Sequence, residues 1–197
     1  MPATHLLYLH GFRSSPQSAK ARMVAERVRT RHPSVEWYCP QLPPSPREAM
    51  AMVAAHTTAW PRDGMAVIGS SLGGFYATWV AQQTGCKAVL LNPAVAPARD
   101  LSRHIGQQTA WHDRSESFYF RPEYVDELRA LDAEARASQS VPERFFAIVA
   151  KGDEVLDWRE MVGRYPGARV KLLEGGDHAL SDFEHHLDEV IAFLQLV

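Results

Sequence analysis

Short runs of hydrophobic residues alternate along the chain with segments of helical periodicity. Six runs of four to six residues predict strands, at 6–9, 35–39, 65–68, 88–91, 145–150 and 170–173. Strands that are apolar throughout and joined through helices form parallel sheets with both faces buried. The pattern therefore predicts an α/β fold, a three-layer sandwich with a six-stranded, mostly parallel sheet and helices on both faces.

The connection between the fourth and fifth predicted strands is too long for a simple crossover. Residues 123–136 within it predict a helix, whereas residues 97–122 show no clean period and hold four aromatic residues, Trp111, Phe118, Tyr119 and Phe120. Long irregular insertions are typically lids or binding loops; the alternative is a structural excursion whose aromatic rings pack on the core. We predict one domain over residues 1–197 with a lid or insertion at about 97–140.

The amino-acid composition limits the kinds of molecule that the protein is expected to bind. The chain has 197 residues, 46% of them hydrophobic, and a net charge of −2, which is typical of one globular domain and argues against a nucleic-acid or anionic-membrane surface. No apolar run reaches the ~18 residues of a membrane span, and the first ten residues lack the features of a signal peptide. Cys39 and Cys86 have no motif spacing, so we interpret them as reduced and expect a cytoplasmic location.

The third predicted strand leads into Gly69-Ser70-Ser71-Leu72-Gly73, which fits the pattern G-x-S-x-G around Ser71. This pattern forms a sharp strand-to-helix turn that holds the serine in a sparsely allowed backbone conformation with its hydroxyl at the apex. The glycines are needed because strand and helix pass too close there to admit a Cβ. Ser70 does not fit, since Leu72 stands two residues after it, and we predict Ser71 as the nucleophile.

A serine nucleophile needs a base to accept its proton and an acid to orient that base. Asp153 follows the fifth predicted strand and His178 follows the sixth. Functional groups in open parallel sheets lie beyond the carboxyl ends of the strands, and the order Ser, Asp, His is the one expected with this serine turn. We therefore predict Ser71, Asp153 and His178 as nucleophile, acid and base.

Two of these assignments have alternatives. Asp157, Asp177 or Glu154 could supply the acid, and Asp157 is the main rival because it is only four residues beyond Asp153. Asp153 comes sooner after its strand and glycine, which favours a better fixed side chain. His178 could also be a loop histidine with no catalytic partner.

An acyl-transfer site also needs backbone N–H groups that bind the oxyanion. Leu72, directly after the nucleophile, predicts one donor. The loop after the first strand predicts the other at Phe12, because Gly11 lets the backbone approach closely. We expect His10, Gly11 and Ser70 to border the substrate, with a structural rather than a chemical role for the His10 ring.

Signals for metals and cofactors are missing from the sequence. His178, His185 and His186 are close in sequence but have no metal-ligand spacing. The chain also lacks the glycine-rich patterns of dinucleotide-binding and P-loop proteins. We predict no metal and no cofactor.

The sequence resembles the α/β-hydrolase superfamily and, more narrowly, the small bacterial YqiA/YcfP-type esterases. The matching segments are LYLHGF (7–12), SSP (14–16), GSSLGG (69–74), LNPA (91–94), GDEVLD (152–157) and GGDH (175–178). The resemblance implies a compact hydrolase that lacks the first two strands of the full superfamily sheet. It also implies esterase activity on short or medium acyl esters or acyl thioesters, with the same serine, aspartate and histidine in the triad.

The sequence therefore predicts a serine hydrolase whose partner is a small-molecule acyl ester or thioester. A thioesterase or peptidase would use the same triad, and a hydrolase-fold interaction protein without turnover is the alternative of a different class. Residues and spacing leave the acyl chain length, the leaving group and the oligomeric state open.

Overall fold

The main sheet has the predicted six strands, and every neighbouring pair is parallel. The computed structural model describes residues 2–111, 113, 115–138 and 141–197. Its strands are β1 (His5–Leu9), β2 (Glu36–Tyr38), β3 (Met65–Ser70), β4 (Lys87–Leu91), β5 (Gly106–Thr109), β6 (Ser117–Phe120), β7 (Phe145–Ala150) and β8 (Arg169–Leu173). The sheet order is β2-β1-β3-β4-β7-β8, with β5 and β6 forming a separate antiparallel hairpin. The predicted fold class is confirmed.

Helices cover both faces of the sheet. They are α1 (Ala19–Arg31), α2 (Pro46–Thr57), α3 (Leu72–Thr84), α4 (Pro97–Leu101), α5 (Pro122–Ala137), α6 (Trp158–Arg164) and α7 (Leu187–Leu194). The first hydrophobic cluster joins α2, α3, α5 and α6 to one face, through strand residues such as Val67 and Leu90. The second cluster joins α1 and α7 to the other face, through their neighbours Ile68 and Val89. Successive strand residues thus serve opposite clusters, as the period of two requires.

The helix boundaries follow local signals. Ser45 caps α2, since its side chain accepts the N–H of Glu48 at 3.2 Å, and α3 ends at Gly85, which has φ 79°. The last α-helix begins only at Leu187, directly after a 3-10 turn at Phe183–His186.

The insertion after β4 is more regular than the sequence indicates. It begins with α4 and a 3-10 turn at Ser102–His104, and then forms the β5–β6 hairpin. The hairpin was not predicted because β5 has the sequence Gly-Gln-Gln-Thr, which carries no alternation of apolar and polar residues. Phe118 and Phe120 pack edge-on against Phe12, with ring centroids 5.8 and 5.2 Å apart, whereas Trp111 and Tyr119 are exposed.

Both cysteines are free thiols. Burial raises the pKa of Cys39 to about 12 and that of Cys86 to about 11.

Within the described ranges, no helix combines the length and apolar character that crossing a bilayer requires.

Candidate active site

Ser71 lies at the turn between β3 and α3 with φ 55° and ψ −119°, a conformation that L-residues rarely adopt. The flanking glycines make this turn possible. A Cβ on Gly69 would lie 2.1 Å from the Gly73 carbonyl oxygen, and a Cβ on Gly73 would lie 1.9 Å from the Leu9 carbonyl oxygen. The missing Cβ of Gly69 therefore lets β3 lie close to the first turn of α3. The missing Cβ of Gly73 lets α3 pass over the end of the neighbouring strand β1.

The turn brings Ser71 next to the two residues predicted to act with it. Nε2 of His178 lies 3.0 Å from Oγ of Ser71, and Nδ1 of His178 lies 2.7 Å from Oδ2 of Asp153. The Asp153 side chain is fully buried, whereas 22% of the His178 side chain is exposed. An unbroken chain of hydrogen bonds thus connects a buried carboxylate to a hydroxyl that faces a cleft.

Asp153 is held in place by the loop that follows β7. Its Oδ1 accepts the backbone N–H groups of Val155 and Leu156, both at 2.8 Å, which leaves Oδ2 for the histidine. A carboxylate fixed by these two donors can hold an imidazole in one orientation.

The three alternative acids have other partners. Asp157 caps α6 by accepting the N–H of Arg159 at 2.9 Å. Asp177 accepts both the hydroxyl and the N–H of Ser181, and the hydroxyl in particular lowers the pKa of Asp177. Glu154 accepts the backbone N–H of His178 at 3.0 Å, so it holds the histidine loop through the main chain.

Asn92 connects the loops that carry these residues. It follows β4, which lies between the serine strand β3 and the aspartate strand β7, and it is fully buried. Its Nδ2 donates to the carbonyl oxygens of Asp177 at 3.0 Å and His178 at 3.2 Å. Its Oδ1 accepts the N–H of Ala150 at 2.8 Å. One side chain therefore bonds both to the histidine loop and to the end of the aspartate strand.

The turn at Ser71 is bonded to the end of β4 as well. The N–H of Ser71 donates to the Leu91 carbonyl at 3.0 Å, and the Ser71 carbonyl accepts the N–H of Ala94 at 3.0 Å. The segment 91–94 is thus bonded to the serine turn, to the histidine loop and to the end of the strand that precedes Asp153. The sequence does not reveal this role of Asn92, because its place directly after a central strand is the only local signal.

The loop after β1 packs against Ser71, as the oxyanion prediction requires. A Cβ on Gly11 would lie 3.2 Å from Cβ and 3.7 Å from Oγ of Ser71. Among the described residues, no acceptor is bonded to the backbone N–H of Phe12 or Leu72. These two amides, one on each side of the serine turn, stay available to a ligand.

His10 lines one of the two clefts described below, and hydrogen bonds within the protein hold its ring. Nε2 of His10 accepts the N–H of Leu42 at 3.0 Å, so its Nδ1 donates to the Gly11 carbonyl at 2.9 Å. The His10 ring thereby fixes the loop after β1 against the segment 40–44. Ser70 is buried at the end of β3, and the residues that line the two clefts described below do not include it.

Two clefts meet at Phe12, Arg13 and Leu72. The nucleophile cleft, of about 380 Å³, contains Ser71 and His178 and is lined further by residues of α4, the 3-10 turn after it and the segment 154–156. The adjoining cleft, of about 540 Å³, lies between the loop after β1, the segment 41–44 and the β5–β6 hairpin. Within the parts of the chain that the structure describes, no group of three or more His, Cys, Asp or Glu side chains could hold a metal ion.

Comparison with solved structures places this architecture among α/β hydrolases. A structure described under LipS and LipT, two metagenome-derived lipolytic enzymes, has a TM-score of 0.70 at 20% identity, covering 98% of this chain and 94% of the other. Mouse alpha/beta hydrolase domain-containing protein 10 has a TM-score of 0.67 at 14% identity, with 98% and 92% covered. The monoacylglycerol lipase of Paleococcus ferrophilus has a TM-score of 0.67 at 13% identity, with 96% and 94% covered.

At these identities the structural likeness establishes the fold, while the family comes from the sequence itself. Residues 5–195 match the family described as "Uncharacterised protein family (UPF0227)". The match covers nearly the whole chain, including every residue of the serine turn, the aspartate loop and the histidine loop, and it confirms the expected resemblance. The chain therefore belongs to the UPF0227 family and has the α/β-hydrolase fold.

Proposed function

We propose that this chain is a serine hydrolase that cleaves carboxylic esters of short or medium acyl chains through an acyl-enzyme. The observation that carries the proposal is the continuous hydrogen-bonded series from Ser71 Oγ through His178 to the buried Asp153. A serine in a strained turn, a histidine within reach of its hydroxyl and an acid on the far ring nitrogen match the roles of a catalytic triad.

Each residue has a defined step in the proposed reaction. Ser71 Oγ attacks the ester carbonyl carbon while His178 Nε2 takes the hydroxyl proton, and Asp153 stabilises the imidazolium. The amides of Phe12 and Leu72 bind the oxyanion. His178 then gives its proton to the departing alkoxide, and the alcohol leaves. A water molecule, deprotonated by His178, attacks the acyl-enzyme and releases the acid and free Ser71.

The lining of the nucleophile cleft supports small acyl esters as substrates. Leu72, Ala94, Pro97, Leu101 and Leu156 surround Ser71 with apolar surface, and a volume of about 380 Å³ lies at the small end of ligand sites. Several structural neighbours are described as lipolytic enzymes, esterases or a lipase. Two free thiols, of which Cys86 is buried, support the cytoplasm as the compartment.

The first test is covalent labelling with a fluorophosphonate, read by intact mass. We expect one adduct on the wild type and none on Ser71→Ala. An adduct that persists on Ser71→Ala would mean that another serine is activated. A well-folded wild type that takes up no label would contradict the proposal and favour an interaction protein without turnover.

The acid is tested by a matched pair of substitutions. Asp153→Asn should lower the labelling rate and kcat by about 10⁴-fold, because the histidine loses its orienting carboxylate. Asp157→Asn should leave both within about twofold, since that carboxylate only caps α6. A larger loss of labelling and turnover in Asp157→Asn than in Asp153→Asn would mean that Asp157 is the acid of the triad.

The leaving group is tested with an oxygen ester, a thioester and an amide that share one acyl chain. Highest kcat/KM on the oxygen ester supports the proposal. Highest kcat/KM on the thioester, with the same dependence on Ser71, would make the chain a thioesterase.

A further inference from the structure

Two arginines border the cleft that contains the proposed nucleophile. Arg13 follows the loop that carries Phe12, and Arg103 lies in the 3-10 turn after α4; both line the cleft together with Ser71 and His178. Neither forms an ion pair with a carboxylate of the described residues. Cationic side chains that line a cleft and have no carboxylate partner are free to bind an anionic ligand.

Arg13 is fixed in this position by the β5–β6 hairpin. Its Nε donates to the Thr109 carbonyl at 2.5 Å, and its guanidinium carbon lies 4.1 Å from the centroid of the Trp111 ring. Its backbone carbonyl accepts the N–H of Trp111 at 2.8 Å. Because these contacts use Nε and the face of the guanidinium, the two terminal nitrogens keep their N–H groups for a ligand.

The carboxylates of the same cleft already have partners. Asp100 accepts a hydrogen bond from Arg99 Nε at 2.8 Å, and Arg99 also binds Glu160 through both terminal nitrogens. Glu154 accepts the backbone N–H of His178. The two acidic side chains that line the cleft are therefore bonded to other groups, and neither forms an ion pair with Arg13 or Arg103.

His104 lines the same cleft as the two arginines and supports the same interpretation. Its ring packs on Phe12, with centroids 5.7 Å apart. Burial lowers the pKa of His104, and the nearby charges of Arg103 and Arg13 lower it further. A neutral imidazole beside two guanidinium groups adds hydrogen-bonding capacity to the cleft without adding a third charge.

We propose that Arg13 and Arg103 form an anion subsite that selects esters carrying a carboxylate or phosphate group. Guanidinium groups bind both anions through paired N–H donors. The subsite rests on the proposed function, because it gives the hydrolase a class of substrate. The anionic group of the ester can lie on the acyl chain or on the leaving group, because both parts of the ester lie in the cleft that contains Ser71 and His178.

The first experiment compares matched neutral and anionic esters with the wild type. One arm places the charge on the acyl chain, as 4-nitrophenyl hydrogen glutarate against 4-nitrophenyl valerate. The other places it on the leaving group, as 4-phosphonooxyphenyl butyrate against phenyl butyrate. We expect kcat/KM to be at least about tenfold higher for the anionic ester in one arm, and to fall on addition of 0.5 M NaCl. A preference for the neutral ester in both arms would overturn the subsite.

The second experiment assigns the effect to the arginines. Arg103→Gln is the cleaner variant, because the structure gives this side chain no other hydrogen bond among the described residues. It should lower the ratio of anionic to neutral kcat/KM about tenfold, and Arg103→Lys should restore part of the ratio. Arg22→Gln, an exposed charge on α1, removes the same net charge and should not change the ratio. Equal ratios in Arg103→Gln and Arg22→Gln would refute the assignment.

Binding to Ser71→Ala separates the two proposals. Calorimetry with glutarate and with phenyl phosphate measures anion binding when no turnover occurs. Binding that is lost in Ser71→Ala/Arg103→Gln supports the subsite even if the wild type shows neither labelling nor ester turnover, in which case only the proposed function fails. If Ser71 is labelled but anion binding is unchanged by Arg103→Gln, the proposed subsite is wrong and the proposed hydrolase function still stands.

Discussion

At the scale of single residues, the site depends on positions where a side chain is missing as much as on those where one is present. Gly11 lies against Ser71, and an added Cβ would come within 3.3 Å of the Ser70 carbonyl oxygen and 3.2 Å of Ser71 Cβ. Contacts this short require one side to move, and the amide of Phe12 belongs to the part that would move.

Gly11→Val should therefore lower kcat by about 10²–10³-fold, the usual loss when one oxyanion donor is misplaced. Gly11→Ala should have a smaller effect of the same kind. Steady-state turnover of the best ester measures both, with circular dichroism as the control for folding. Unchanged turnover in Gly11→Val would exclude the loop after β1 from the oxyanion site.

Asn92 should behave as a positioning residue. Asn92 has φ 41°, which glycine adopts without strain, so Asn92→Gly removes the side chain without a backbone penalty. We expect the free energy of unfolding to fall by about 1–3 kcal/mol, because the Ala150 N–H loses its buried acceptor. We also expect kcat to fall about tenfold with KM little changed, since the His178 loop is less well fixed.

Thr78→Val is the control for that experiment. Thr78 is also buried, and its hydroxyl is bonded to the Gly74 carbonyl and to the Tyr165 hydroxyl, both at 2.9 Å; neither bond involves a residue of the triad. The substitution Thr78→Val should lower the free energy of unfolding without lowering kcat. If Asn92→Gly affects stability alone, as Thr78→Val should, Asn92 has no part in positioning His178.

How far the sequence predicts the site differs from residue to residue. Ser71, Asp153 and His178 could be expected to lie together because each is in the loop that follows a strand, and parallel strands bring their carboxyl ends to one edge. Asn92 also follows a strand, but its importance depends on bonds to Ala150 and to the histidine loop, more than fifty residues away. Arg13 is a similar case, because its partner Thr109 lies on a hairpin whose existence the sequence does not indicate.

At the scale of elements, the turn between β3 and α3 packs closely against the end of β1. A Cβ on Gly73 would lie 1.9 Å from the Leu9 carbonyl oxygen and 2.7 Å from that of His10. Both are backbone atoms at the end of β1, so neither can rotate away.

Gly73→Ala should therefore cost about 3 kcal/mol or more of unfolding free energy, or prevent folding. Gly163→Ala in α6 is the matched control, since an added Cβ there meets nothing within 4 Å. It should stabilise the protein by about 0.5–1 kcal/mol, the helix propensity difference between the two residues. Denaturant titrations measure both, and similar values for the two variants would contradict the close packing at Gly73.

The strands of the main sheet could be predicted where they form short, continuous apolar runs, as in β7, which is buried at every position. The β5–β6 hairpin was missed because its first strand is polar and lies outside both hydrophobic clusters. Its position is determined by contacts with the loop after β1, such as the packing of Phe118 and Phe120 on Phe12. Contacts of this kind join segments about a hundred residues apart and leave no local pattern.

At the scale of the whole molecule, one lysine makes stability depend on pH. Lys20 donates to the Ala179 carbonyl beside the histidine loop. Burial lowers its pKa from 10.5 to about 8, and the charge of Asp177 offsets part of that shift. Between these two values the unfolded chain binds more protons than the folded protein, so stability rises with pH in that window.

The stability of wild type relative to Lys20→Arg should therefore increase from pH 8 to pH 10, because arginine keeps its charge throughout. The slope should approach about 1.4 kcal/mol per pH unit. Urea unfolding at pH 7, 8, 9 and 10 gives the difference directly. A constant difference across that range would mean that Lys20 titrates normally in the folded protein.

The separation of the two hydrophobic clusters by the sheet has an evolutionary consequence. The apolar residues of the clefts, such as Leu42, Leu72 and Tyr76, belong to the first cluster, whereas α1 and α7 pack only through the second. Substitutions that share no partners contribute additively to stability. Improved packing beneath α1 and α7 can therefore compensate for costly changes in the clefts, so that substrate preference can drift within the family while the opposite side of the sheet preserves the fold.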